Sequence, residues 1–160
     1  MAAKGTDSSN SEVVITRTFD APCALVWQAW TDPKHVMQWW GPAGFNNESC
    51  TSDLRVGGRF QLEMRAPDGN VYPYVGTFRE IVELERIVYE GEAAEGPPCG
   101  AGIPPRAVAT ISFAEQQGKT RLTLHTSFAS AERKEAAAAA RFVVSWEEAM
   151  GRLDDFLTHA

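Results

Sequence analysis

The sequence predicts an α+β fold in which a curved antiparallel β-sheet wraps around one long C-terminal α-helix, with two short helices after the first strand. Three observations carry that reading. From Phe45 to Phe128 the chain reads as strands and turns, and Arg59-Phe60-Gln61-Leu62-Glu63-Met64-Arg65 alternates polar and apolar residues without a break. One buried face and one wet face is the antiparallel pattern. Residues 131–158 lack proline, carry no glycine before Gly151 and include five consecutive alanines, Ala136 to Ala140. That is the composition of a helix. A helix laid on the sheet buries both apolar faces in two layers. Because a straight helix and a curved sheet do not mate over their whole length, the arrangement can enclose a cavity.

Each element follows in order. Residues 1–11 are small and polar and read as a disordered tail, so the domain is expected over residues 12–160. Val13 to Phe19 is β-branched and aromatic, a strand. Asp20-Ala21-Pro22 ends it, with Asp20 placed to cap the first short helix, which carries Leu25, Val26, Trp27, Ala29 and Trp30. Thr31-Asp32-Pro33 repeats the signal for a second short helix through Val36, Met37, Trp39 and Trp40, ended by Gly41-Pro42. Gly57-Gly58 bends the backbone before the alternating strand. Pro67-Asp68-Gly69-Asn70 is a hairpin turn, followed by strands through Tyr72, Tyr74, Gly76 and Phe78 and from Arg86 to Glu92. Residues 93–105, rich in glycine and proline, read as a long loop and a candidate lid. Ala107 to Phe113 and Arg121 to Phe128 are strands around a turn at Gln116 to Lys119, with Leu122, Leu124, Thr126 and Phe128 inward. On the last helix, Phe142, Trp146, Ala149, Leu153 and Phe156 form an apolar stripe flanked by Val143, Met150 and Leu157. Arg141, Glu147, Glu148, Arg152 and Asp155 take the solvated side.

Composition narrows the classes of function. The chain has 160 residues, and at about 150 residues per domain this is one domain. Hydrophobic residues at 44% and charged residues at 22% exclude wholesale disorder. Fifteen Lys and Arg against 21 Asp and Glu give a net charge of −6, which argues against nucleic acid or an anionic membrane as the main partner. No apolar run is long enough to span a membrane, and the first twelve residues lack the apolar core of a signal peptide. Cys23, Cys50 and Cys99 are odd in number and widely spaced, so neither a disulfide framework nor a zinc site is expected. A reduced, cytoplasmic protein fits best.

No catalytic constellation emerges. His35, His125 and His159 are scattered, with His35 placed between the two short helices and His125 pointing outward by strand alternation. They give no convergent metal-ligand set. No GxSxG occurs; Cys50 and Ser52 lie on the strand before Asp53 and read as small buried fillers. Asp53, Arg55 and Arg59 read as an ion-pair cluster holding the glycine bend. Glu147-Glu148 and Asp154-Asp155 are adjacent on a helix and do not face each other. An enzyme is therefore not the leading expectation, and neither cofactor nor metal is expected.

Phe19-Asp20-Ala21-Pro22, Val26-Trp27-Gln28-Ala29-Trp30-Thr31-Asp32-Pro33 and Trp39-Trp40-Gly41-Pro42 resemble the opening of the SRPBCC superfamily of START-like, Bet v 1-like helix-grip domains. Asp53 to Phe60, Pro67-Asp68-Gly69, Gly76 to Ile81 and Gly118 to Leu124 extend the resemblance to about residues 12–158. It is strongest to the branch named for activators of the heat-shock-protein-90 ATPase. The resemblance implies a hydrophobic cavity between sheet and long helix, and a small hydrophobic or amphipathic ligand. Trp39, Trp40, Phe60, Leu62, Tyr74, Phe78, Leu124, Phe142, Trp146 and Met150 are the candidate lining residues, since ligand pockets are mostly apolar and aromatic. Tyr74 is the preferred polar group, ahead of Tyr72 and Arg79, whereas alternation turns Arg65 outward. The region around Trp39-Trp40 joins the 93–105 loop as a candidate gate.

The branch name suggests an alternative, a chaperone cofactor acting through its surface. Eukaryotic activators, however, carry an additional N-terminal domain that makes the main chaperone contact, for which these residues leave no room. A cyclase or hydratase type of enzyme is a further alternative. Val14 and Val88 are outward apolar residues on which a homodimer would pair, and monomer and homodimer both stay open.

Overall fold

The computed structural model describes residues 11–91, 106–139 and 141–158. The expected N-terminal tail up to residue 10, the 93–105 loop, Cys99 and His159 lie outside the described residues. Strand β1 (Glu12–Phe19) leads into helices α1 (Cys23–Thr31) and α2 (Pro33–Trp39). Six strands follow: β2 (Asn46–Ser52), β3 (Arg59–Arg65), β4 (Val71–Val82), β5 (Arg86–Gly91), β6 (Val108–Gln116) and β7 (Lys119–Ser127). Helices α3 (Ala131–Ala139) and α4 (Phe142–Thr158) complete the chain. The strands form one antiparallel sheet in the order β1-β7-β6-β5-β4-β3-β2, so the first strand closes against the last. Register irregularities at Asn47/Ser49 and Phe78/Glu80 are the kind of local distortion that bends and twists a sheet.

Alternation decides which face is buried. In β3, Phe60, Leu62 and Met64 are buried and their neighbours exposed. In β7, Thr120, Leu122, Leu124 and Thr126 are buried. The apolar face receives α1, α2 and α4, whose Trp27, Trp30, Trp39 and Trp146 join one continuous core with the sheet residues. Helix α4 runs closest to β1 and α2.

Two local expectations are corrected. The predicted single C-terminal helix is two helices, because Arg141 takes a left-handed conformation (φ 62°) between them. Alanine propensity favours continuing the helix, but none of the described side chains of α3 is buried in the core. The apolar stripe starts only at Phe142, which packs edge-on against Phe128 at 5.2 Å. The tertiary anchor sets the direction of α4, and the chain turns where that anchor begins.

The second correction concerns the cap of α1. Pro22, not Asp20, is the N-cap, and it makes no side-chain cap bond. The Glu115 carboxylate of β6 accepts from the Cys23 N–H at 2.8 Å instead. A carboxylate at a helix N-terminus is favoured by the exposed N–H groups and the helix dipole wherever in the chain it comes from. The Asp32 cap of α2 is as expected, its carboxylate accepting from the Lys34 N–H at 2.9 Å.

The bend at Gly57-Gly58 is a close-packed loop. Gly58 N–H donates to Arg55 O and Asp53 N–H to Arg59 O, while Phe78 N–H donates to Gly58 O. A Cβ on Gly58 would lie 2.0 Å from the backbone oxygen of Asp53. Gly58→Ala should therefore destabilise the protein by about 3 kcal/mol or more, since backbone must move to admit the methyl. Urea unfolding measures this, and a loss below about 1 kcal/mol would mean that the loop opens freely. The Arg55–Asp53 pair (2.7 Å) across this bend is solvent-exposed, so its contribution is small.

Candidate interior binding site

The α2–β2 connection positions the centre of the site. Trp40 follows α2 with extended backbone. Its neighbour Trp39 is fixed by donating Nε1–H to Ala29 O at 2.9 Å. Helix ends leave carbonyls without intrahelical partners, and two side chains from elsewhere take them. Asn47 Nδ2 donates to Met37 O and Trp40 O, both at 3.0 Å. Arg152 Nη1 donates to Trp40 O, Gly41 O and Pro42 O at 3.2, 3.0 and 3.0 Å. Glu148, one turn earlier on α4, accepts from the Ala43 N–H at 3.2 Å. Arg152 and Glu148 thus do not form an idle solvated face, as expected from the sequence, but fasten the segment carrying Trp40 onto α4. Burial pulls the Arg152 pKa down from its ordinary value.

Trp40 is the hub. Its ring lies 5.0 Å from Trp146, 5.3 Å from Trp39, 5.6 Å from Trp30, 5.3 Å from Phe60 and 5.8 Å from Tyr74, centroid to centroid. Phe60 continues the cluster to Tyr74, Phe78 and Tyr89. Where α4 faces β3 to β5, side chains span the separation: Trp146 meets Trp40, and Trp40 meets the sheet.

All ten residues expected to line a cavity are buried. The structure brings Trp39, Trp40, Phe60, Tyr74, Phe78 and Trp146 into this ring cluster, with Leu62 beside Tyr74 in the β3–β4 register. It places Phe142 against Phe128 and Leu124 between Ile15 and Ile111 in the sheet register. Met150 joins Ile15, Thr16, Arg17 and Glu147 along an open cleft of about 430 Å³ between β1 and α4. Val143, expected to flank the apolar stripe, is 41% exposed. Arg65 and Arg79 pair with Glu48 and Glu90 at the surface. His35 lies within α2 rather than between the helices, its ring 5.3 Å from Phe156. His125 contacts Glu12 across the β1–β7 pair. Val14 is largely exposed on edge strand β1, and Val88 is half-buried on β5.

The buried polar groups of the cluster are hydroxyls and the Trp30 indole, whose Nε1 has no hydrogen-bond partner among the described residues. Tyr74 Oη, Tyr89 Oη and Ser52 Oγ are buried and make no hydrogen bond within the described residues. Such groups are rare, because burying a hydroxyl without a partner costs about 1–3 kcal/mol. Burial pushes the Tyr74 phenol well above its usual pKa, with a smaller contribution from Tyr89. It raises the Tyr89 phenol likewise, with a smaller contribution from Cys50. Both phenols are therefore neutral. Burial also pushes the Cys50 thiol up to about 12, which makes it a poor nucleophile. Tyr89 was legible in principle, since alternation from Ile87 turns it inward.

Among the described residues no group of three or more His, Cys, Asp or Glu side chains is placed to hold a metal. None of their helices is long and apolar enough to cross a membrane.

A curved seven-stranded antiparallel sheet with a C-terminal helix across its apolar face defines the class: this is a helix-grip α+β protein. The family model for activator of Hsp90 ATPase homolog 1-like proteins matches residues 20–158, and the chain belongs to that family. A crystal structure of a Mycobacterium smegmatis protein is similar at 27% identity and a TM-score of 0.82, covering 96% of this chain and 94% of that one. An Arthrobacter aurescens protein solved by NMR is similar at 26% identity and 0.82, covering 96% and 90%. An AHSA1-like protein from Aeromonas hydrophila shares the fold at 19% identity and 0.71, covering 92% of each chain. No curated protein matches the chain in sequence.

Proposed function

We propose that residues 12–160 act as one binding module that holds a small hydrophobic or amphipathic ligand between the sheet and α4. The observation that carries the reading is a thick aromatic interior with hydroxyls that nothing described satisfies. Trp146, Trp40, Phe60 and Tyr74 span the helix-to-sheet separation, and the buried Oη atoms of Tyr74 and Tyr89 have no hydrogen-bond partner among the described residues. Apolar burial drives binding at roughly 25 cal/mol per Å² removed from water, and a few polar groups orient the occupant. The free thiols of Cys23 and Cys50 suit a reducing, cytoplasmic setting. Native against denaturing mass spectrometry of freshly purified protein tests the reading: a small molecule released only on denaturation is the expected result. Trp146→Ala should then weaken retention of that molecule about tenfold or more, and Glu147→Ala by less than about twofold, because Trp146 is buried in the cluster and Glu147 is exposed. Equal effects would remove the α4 face from the site.

The family description favours a second reading, a chaperone cofactor acting through its surface. Stimulation of a heat-shock-protein-90 ATPase by the isolated chain, undiminished in Trp146→Ala, would select it over the first.

A further inference from the structure

One pair on the buried face of the sheet carries no side chain. Gly76 of β4 stands directly opposite Gly91 of β5, so neither contributes a side chain at that pair. The Tyr74 phenol covers Gly76, its Oη 3.0 Å from where a Cβ on Gly76 would lie. Tyr89 is paired with Phe78 in the β4–β5 register, and the Phe60 ring touches both tyrosines, at 5.5 and 5.9 Å. Both phenol hydroxyls are buried, and neither has a hydrogen-bond partner among the described residues. Resting on the ligand-binding reading above, we infer that the Tyr74 and Tyr89 hydroxyls are the polar end of the site, donating hydrogen bonds to a neutral acceptor oxygen on an otherwise apolar ligand. A phenol O–H donates to a neutral acceptor such as a carbonyl or ether oxygen, whereas an aliphatic amine is largely an ammonium at neutral pH and has no lone pair left to accept. The rings in contact with the two phenols are Trp40, Phe60 and Phe78, none of which carries a charge. An ionised carboxylate or ammonium on the ligand would lose its hydration among these rings. The site therefore takes ketones, quinone-like or ester oxygens on apolar frames, and rejects fatty-acid anions and cationic amphiphiles.

A matched pair of probes tests this. Fluorene and fluorenone have nearly the same shape and differ by one carbonyl oxygen; fluorenecarboxylate adds the anion. Tryptophan fluorescence titration of the full chain should show fluorenone bound about tenfold tighter than fluorene, as hydrogen bonds to otherwise unsatisfied donors predict, with the carboxylate weakest. In the Tyr74→Phe/Tyr89→Phe double variant, which keeps the rings, fluorene affinity should hold and the ketone preference should fall to within about twofold. Equal binding of fluorene and fluorenone by the unmodified protein, a preference that survives in the double variant, or a preference for the carboxylate would each overturn the hydroxyl assignment while leaving the binding module standing. Failure of all three probes to bind the folded protein would overturn both.

Discussion

Replacing Trp40 by alanine should cost about 3–5 kcal/mol of stability, the range for removing a fully buried large aromatic side chain. For a chain of this size that is a fall in Tm of about 6–20 °C. The indole is fully buried and touches five other rings, from α1, α2, β3, β4 and α4. Its removal leaves a cavity where helix and sheet are bridged only through side chains, so collapse around the hole is hindered. Trp40→Phe should recover at least half of the loss. Urea denaturation with an unchanged m-value measures both. A loss under about 1 kcal/mol for Trp40→Ala would show that Trp146 and Phe60 close directly on one another and that Trp40 is not the hub.

The protein should also lose stability steeply in alkali. Tyr74 and Tyr89 are held above their ordinary phenol pKa in the fold, while in the unfolded chain they ionise near pH 10. The sign follows from proton counting. Below about pH 10 both states keep the phenol protons and stability is flat with respect to them. Above it the unfolded chain releases protons that the folded chain retains, so unfolding is favoured as pH rises. Each buried tyrosine takes away up to about 1.4 kcal/mol per pH unit until its folded pKa is reached. The Cys50 thiol, raised to about 12, adds loss of the same sign from a lower pH, diminished by its partial exposure. Denaturant titrations between about pH 9 and 11.5 should show this slope, and the Tyr74→Phe/Tyr89→Phe variant should lose most of it. An unchanged slope in that variant would mean that the two phenols reach solvent. The same variant should be no less stable than the original at neutral pH, because it removes two unsatisfied buried hydroxyls rather than a bonded pair.

Much of the interior was legible from local pattern. The alternation in Arg59 to Arg65 predicts which three side chains of β3 face inward, and they are buried. The inward set on β7 and the place of Tyr74 and Phe78 on one face follow from the same period of two. Periodicity also finds the buried stripe of α4 from Phe142 to Leu157. These succeed because the side-chain period of a strand or helix is a property of a few consecutive residues. The resemblance in the Trp39-Trp40-Gly41-Pro42 region points to the family, and the family model bears it out.

What the tertiary structure alone decided involves partners far apart in the chain. The sequence by itself determined the fold class and most of the buried faces, because these are written in the spacing of neighbouring apolar residues. It does not show that Glu115 serves as the cap of α1 across 92 positions, or that Arg152 binds Trp40 O across 112. A side chain's periodicity says which way it points, not which backbone atoms wait there. The helix break at Arg141 is likewise decided by where Phe142 finds Phe128, against an alanine run whose local preference is to continue. The two phenol hydroxyls meet the same limit: alternation turns Tyr74 and Tyr89 inward, but only the pairing of β4 with β5 sets Gly76 opposite Gly91, with the Tyr74 phenol laid over it.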